Sequence, residues 1–150
     1  MPGTYSQVIL HFVFSTKRRV AYITPKIQTR LYDYIGGIVR AEKGTLYAIG
    51  GMSDHVHLLL RWQTDASIAD LMRTVKARSS RWVHQTFTEA AAFAWQEGYG
   101  VFSVSKSAES DAKNYIENQV EHHKQRDFKA ELLALLRTHG IEFDKRFVFD

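Results

Sequence analysis

The sequence predicts an α+β fold: a ferredoxin-like antiparallel sheet reached in the order β-α-β-β-α-β, with helices packed on it and a helix toward the C-terminus that carries Tyr115. Three observations lead there. Strand-length segments alternate with longer segments of helical period. Helix-start residues precede each helical segment, at Thr24-Pro25, Ser67, Ser107 and Asp127. A glycine bend, rather than a helix, joins the second and third strands.

The first strand spans residues 7–16. Val8, Leu10, Phe12 and Phe14 alternate there with Ile9, His11, Val13 and Ser15, so both faces are apolar, as in a central strand. Thr24-Pro25 then supplies an N-cap and a first helical position, and this helix ends before Gly44. Gly36-Gly37 sits inside it at about 1 kcal/mol per glycine, for which close backbone packing is one reason. Strands follow at 45–49 and 55–62, separated by a bend at Gly50-Gly51. Ser67 with Asp70 resembles a capping box and opens a helix through Leu71, Val75 and Trp82 to about His84. Residues 93–96 and 99–105 read as extended around a turn at Glu97-Gly98. Ser107 caps the next helix, with Glu109 and Asp111 in its first turn, and Ala108, Ala112, Ile116 and Val120 form its buried stripe. Asp127 caps a last helix carrying Leu132, Leu133, Leu135 and Leu136, closed by Gly140. The aromatic tail, with Phe143, Phe147 and Phe149, is expected to dock on the rest.

The 150 residues fit one domain, 1–150, with a full core. They include no cysteine, which excludes disulfides and thiolate metal sites and suits a reducing cytoplasm. No apolar run approaches the roughly 18 residues that span a bilayer. The N-terminus lacks a basic region followed by an apolar core, so a cytoplasmic protein without membrane contact is expected. The formal net charge of +4 favours an anionic partner, though its distribution says more than its sum.

The segment Asp54-His55-Val56-His57 is the most informative. On a strand, residues i and i+2 share a face, so His55 and His57 stand together while Val56, Leu58 and Leu60 point the other way. Two adjacent imidazoles make half a site for a divalent metal. They also serve elsewhere as ordinary hydrogen-bonded histidines, and the spacing alone leaves both readings open. Tyr115 and Gln119 are one helical turn apart and flank the apolar stripe. The tyrosine hydroxyl there can reach a metal-bound phosphate and the amide oxygen can be a third ligand; a packed tyrosine and a solvated glutamine are the alternative. Lys17, Arg18 and Arg19 cluster after the first strand, and Arg73, Lys76, Arg78 and Arg81 fall on the second helix. These can hold DNA phosphates or simply be solvated. Trp82, Trp95 and Tyr99 offer rings for unpaired bases, with core packing the favoured use of each. His11, His84, His122, His123 and His139 have no spacing that demands a metal role.

Taken in chain order, these pieces resemble the single-tyrosine HUH transposases, which belong to very small insertion sequences that move as single-stranded DNA. VILHFVFSTKRR, GGMSDHVHLLL, LMRTVKARSSRW, FAWQEGYGVFSVS and YIENQVEHH each resemble a family stretch and together span nearly the whole chain. The resemblance implies Tyr115 as nucleophile, His55 and His57 as metal ligands and Gln119 as the third ligand. It implies a divalent cation, Mg²⁺ or Mn²⁺; two imidazoles and an amide oxygen suit Mn²⁺ better. It also implies single-stranded DNA with hairpins at the element ends as partner, and a homodimer with shared active sites. Related replication initiators usually carry lysine four residues after their tyrosine, and relaxases place the tyrosine before the histidine strand, so Gln119 and the order here fit the transposases. Domesticated relatives that process host hairpins, a hydrolase using metal-bound water, and a non-catalytic module for single-stranded nucleic acid are the other readings; the last needs no metal.

Overall fold

The computed structural model describes residues 3–124, 127–144 and 146. The chain runs through β1 (Val8–Ser15), α1 (Pro25–Ala41), β2 (Thr45–Met52), β3 (His55–Trp62), α2 (Ile68–Thr86), β4 (Gly100–Val104), α3 (Glu109–Glu117), α4 (Gln119–His122) and α5 (Phe128–Thr138). The strands form one antiparallel sheet in the order β2-β3-β1-β4, the ferredoxin-like arrangement expected. β1 is central and buried along nearly its whole length, which its doubly apolar sequence requires. No helix among the described residues is long and apolar enough to cross a membrane.

The period-two alternation sorts the sheet into two faces. Leu10, Phe12, Phe14, Val56, Leu58 and Leu60 point to one side and pack against Ile27, Leu31 and Ile35 of α1 and Leu71, Met72 and Val75 of α2. This is the main core. The opposite face carries Ile9, His11, Val13, His55, His57 and Leu59, and it is roofed by Ile116 of α3 and by Phe128 and Leu136 of α5. His11, His55 and His57 therefore lie between the strands and the last helices.

Capping follows the sequence in part. Ser67 Oγ accepts a hydrogen bond from the Asp70 amide at 3.1 Å, and Asp127 Oδ1 accepts one from the Ala130 amide at 3.0 Å. Gly140 has φ of +65°, the left-handed conformation that ends α5. Thr24 holds the N-cap position of α1 through its backbone, with Pro25 at the first helical position. Gly36 is buried, and a Cβ there would meet Leu46 Cδ2 at 3.3 Å, so close packing of α1 on β2 accounts for that glycine. Phe143 packs beside Phe102 and Leu136, whereas Phe147 and Phe149 lie outside the described residues.

Four expectations are corrected. Gly50 and Gly51 form no bend; they continue β2 to Met52, and the turn falls at Ser53-Asp54. Their small size serves close backbone approach instead. Residues 93–96 make no strand, only a single bridge between Trp95 and Thr16. Ser107 sits within a 3₁₀ turn, Lys106–Ala108, and α3 begins after it with Ala108 at the N-cap. The tyrosine segment is not one continuous helix: Asn118, at φ −109° and ψ 32°, separates α3 from α4. The break shifts the helical phase, so Val120 is exposed and Gln119 is buried in its place. Tyr115 thus lies on the third helix, two helices before the last.

Candidate active site

His55 and His57 are fully buried on adjacent same-face positions of β3. Their register explains what reaches them. His57 lies opposite Gly50 of β2, and an added Cβ at Gly50 would sit 2.1 Å from the backbone oxygen of Ile116. Only glycine lets the α3 backbone settle on the sheet there. That contact brings Tyr115 and, one turn on, Gln119 over the two histidines.

The donors converge. His55 Nε2 lies 3.1 Å from Gln119 Oε1 and 3.3 Å from Glu131 Oε1. His57 Nε2 donates to Glu131 Oε1 at 2.9 Å. The Tyr115 hydroxyl donates to the other oxygen of the same carboxylate. His123 Nε2 stands 3.0 Å from Gln119 Oε1 and 3.3 Å from Glu131 Oε1. On the other side of each ring, Asp54 Oδ1 accepts from His55 Nδ1 at 2.7 Å, and His11 Nε2 is 2.7 Å from His57 Nδ1. Phe128 lies against the His55 ring, 4.7 Å between centroids, and helps exclude water.

The electrostatics follow from this crowding. Burial opposes charge on His55, but the hydrogen bonds to Asp54 and Glu131 outweigh it and raise its pKa to about 9. Burial lowers the pKa of His57 despite Glu131. Burial, with His57 adjacent, lowers His11 to about 3. Burial alone would raise Glu131, yet the hydrogen bonds from His55 and His57 hold it well below the usual carboxylate range.

Ligand atoms of His55, His57 and Glu131 lie within 4.8 Å of one another, and the Gln119 amide oxygen borders the same space. Two imidazoles, a carboxylate and an amide oxygen form a donor set that fits a divalent metal. The structure thus places Tyr115, His55, His57 and Gln119 side by side. It adds Glu131, Asp54, His11 and His123. Glu131 was visible in one respect: it follows Phe128 by three positions and precedes Leu135 by four, on the inward face of a leucine-rich helix.

The basic candidates divide. Lys17, Arg18 and Arg19 form a 3₁₀ turn after β1 and line a cavity of about 620 Å³ with Trp95, Gln96 and Glu97. Arg18 and Arg19 both have φ of 56°. Arg73 and Lys76 border a neighbouring groove with Met72, Trp95 and Tyr99, while Arg78 and Arg81 are exposed away from it. Lys76 Nζ donates to the Gln96 carbonyl at 2.8 Å and to that of Gly98, and burial lowers its pKa to about 8. It pins the turn before β4. Trp82 stacks on Tyr34 at 4.9 Å, and Trp95 packs on Phe14 while donating to Ser79 Oγ at 2.9 Å. Both are packing residues; Tyr99 is 38% exposed and leaves a ring at the groove.

A ferredoxin-like sheet with a histidine–carboxylate cluster on one face defines an α+β protein with a candidate divalent-metal centre. More particularly, the chain belongs to the IS200-like transposase family, whose profile, described as "Transposase IS200 like", matches residues 4–119. ISDra2 transposase TnpA of Deinococcus radiodurans is 24% identical to it over 122 residues, 78% of this chain and 87% of that protein. A crystal structure of a Deinococcus radiodurans protein assigned as a transposase superposes with a TM-score of 0.65 at 27% identity, covering 79% of this chain and 95% of the other. A REP-associated tyrosine transposase bound to a REP hairpin shares the fold, with a TM-score of 0.56 at 16% identity over 77% of this chain and 68% of its own. The profile match ends at Gln119, so α5 and Glu131 lie beyond it.

Proposed function

We propose that this chain, acting as one HUH domain, cuts and rejoins single-stranded DNA through Tyr115, beside a divalent cation held by His55, His57, Gln119 and Glu131. The observation that carries the reading is the Tyr115 hydroxyl, which meets the same Glu131 carboxylate that His55 and His57 engage. Tyr115 Oη forms a bond to phosphorus as the bond from phosphorus to the 3′ oxygen breaks. The tyrosine proton leaves and the departing 3′ oxygen takes one up, giving a 5′-phosphotyrosine and a free 3′-OH. One ester replaces another, so a 3′-OH can reverse the step without an energy source. A bound cation supplies positive charge against the phosphate oxygens, which offsets the charge that builds as tyrosine attacks. Glu131 orients the Tyr115 hydroxyl through its Oε2, and Gly50 admits the helix that carries it.

Labelled single-stranded DNA carrying a hairpin end, incubated with Mn²⁺, should yield a shifted band that survives denaturant. A bound but unshifted product would favour a binding module, and a free 5′-phosphate would favour a hydrolase. His57→Ala removes a fully buried donor, so calorimetric Mn²⁺ affinity should fall on the order of 100-fold or more, with cleavage falling alongside. Equal binding by both proteins would make the histidine pair structural.

For DNA contacts we propose Lys17, Arg18 and Arg19 first, with Arg73, Lys76, Arg78 and Arg81 as further candidates. Replacing the first three by alanine should flatten the salt dependence of hairpin binding by roughly one unit of log–log slope per lost phosphate. An unchanged slope would assign them to solvent.

The homodimer with shared sites is also proposed. Between β4 and α3 lies only the short Ser105–Ala108 stretch, a joint about which α3 can be exchanged between copies. A mixed dimer of Tyr115→Phe and His57→Ala subunits separates the two arrangements. Exchange predicts cleavage above either homodimer, whereas a folded, DNA-bound but silent mixed dimer would show that each chain completes its own site.

A further inference from the structure

We propose that His11 is a positioning residue for the metal centre, holding the His57 ring so that its Nε2 faces the other donors. The inference rests on the reading of His57 as a ligand. Ring rotation about the Cβ–Cγ bond would otherwise exchange what each nitrogen faces. His11 Nε2 lies 2.7 Å from His57 Nδ1, and Glu131 takes the opposite nitrogen of that ring at 2.9 Å. His11 is 5% exposed on β1, diagonal to His57 across the strand pair: it pairs with Leu59, and Val13 pairs with His57. Its ring is set edge-on to Phe102 at 6.0 Å and Tyr115 at 6.3 Å. The two candidate ligand histidines are thus backed differently, His55 by the Asp54 carboxylate and His57 by the His11 imidazole.

The difference has a chemical use. A carboxylate only accepts hydrogen bonds, whereas a neutral imidazole can donate or accept through one nitrogen. While His57 Nε2–H donates to Glu131, His57 Nδ1 is an acceptor and His11 Nε2–H donates to it. A ring nitrogen of His11 can therefore meet His57 Nδ1 in either tautomer of that ring, as donor or as acceptor. The ring of His57 is held in both states. A residue there only to fill space would be replaced by phenylalanine without consequence.

The test uses His11→Phe and His11→Gln in the full chain, with thermal unfolding as a check. Mn²⁺ calorimetry reports affinity, and ¹⁵N chemical shifts of the His57 ring in metal-free protein report its tautomer. The wild type should show His57 protonated at Nε2. His11→Phe should lose affinity on the order of 10- to 100-fold and give mixed His57 tautomers, while His11→Gln, whose amide can donate or accept, should recover most of both. A wild-type affinity and His57 spectrum in a folded His11→Phe protein would overturn the inference, as would equal losses in both variants. If the phenylalanine variant does not fold, the glutamine variant decides alone: a folded protein with the tautomer lost counts against it. Failure of the wild type to bind Mn²⁺ would sink the metal centre itself, and the His57 spectra of the variants would still decide the positioning role.

Discussion

Tyr115→Phe should leave hairpin DNA bound and uncut. The substitution keeps the ring, and with it the contacts to His122 of α4 at 4.5 Å and to His57 of the sheet at 5.9 Å. What disappears is the hydroxyl and its hydrogen bond to Glu131, whose carboxylate keeps His55, His57 and His123 as partners. Loss of one hydrogen bond to a charged group costs about 1.5–3 kcal/mol, a tolerable reduction in a domain of this size. Loss of the proposed nucleophile has no such cushion: adduct formation should drop on the order of 10⁴-fold or more. Hairpin affinity should stay within a few-fold, because the proposed phosphate contacts are untouched. Denaturing gels for the adduct and native titrations for binding check both halves. An adduct of wild-type yield would remove Tyr115 from the chemistry.

The second large effect is expected from a residue with no side chain. Gly50→Ala places a Cβ where the Ile116 carbonyl oxygen now sits, 2.1 Å from the ideal position. The obstacle is backbone, so no rotamer relieves it and α3 must move away from β2. Overpacking of this kind costs about 1–3 kcal/mol. The functional loss should be larger than the stability loss suggests. Tyr115 and Gln119 flank Ile116 on this segment, and a displacement of about 1 Å at a reacting group can cost 100-fold in rate. DNA cleavage should therefore fall at least that far in a protein that still unfolds cooperatively, and hydrogen exchange should quicken in α3 while β1 and β3 stay protected. Full cleavage activity in Gly50→Ala would mean that the helix position is not what limits the site.

The sheet and its two main helices were legible because their signals are local. Alternation in β1 and β3, the Ser67 and Asp127 caps and the terminal Gly140 each act within a few residues. His55 and His57 were legible for the same reason, since two-residue spacing on a strand fixes a common face. The misses share a different cause. Gly50 and Gly51 carry the turn signature, but their smallness serves contacts with Ile116 and His55, which no local pattern encodes. Asn118 interrupts the tyrosine helix and exchanges the exposure of Gln119 and Val120, so an unbroken helical period misplaces both. Glu131 and His11 lie 74 and 46 positions from His57 along the chain, and only the folded packing makes them neighbours. Residues joined by long-range contact leave at most a faint mark in sequence, such as one acid on a leucine face.

The central claim is that Tyr115 becomes covalently joined to DNA, and peptide mapping of the adduct tests it most directly. The purified chain would be incubated with Mn²⁺ and single-stranded hairpin DNA, digested with nuclease and protease, and its peptides weighed and fragmented. The account predicts a single modified peptide, with a 5′-linked nucleotide on Tyr115 and none on Tyr5, Tyr22, Tyr32, Tyr34, Tyr47 or Tyr99. A nucleotide on any of those six, or cleaved DNA with a free 5′-phosphate and no modified peptide, would contradict it.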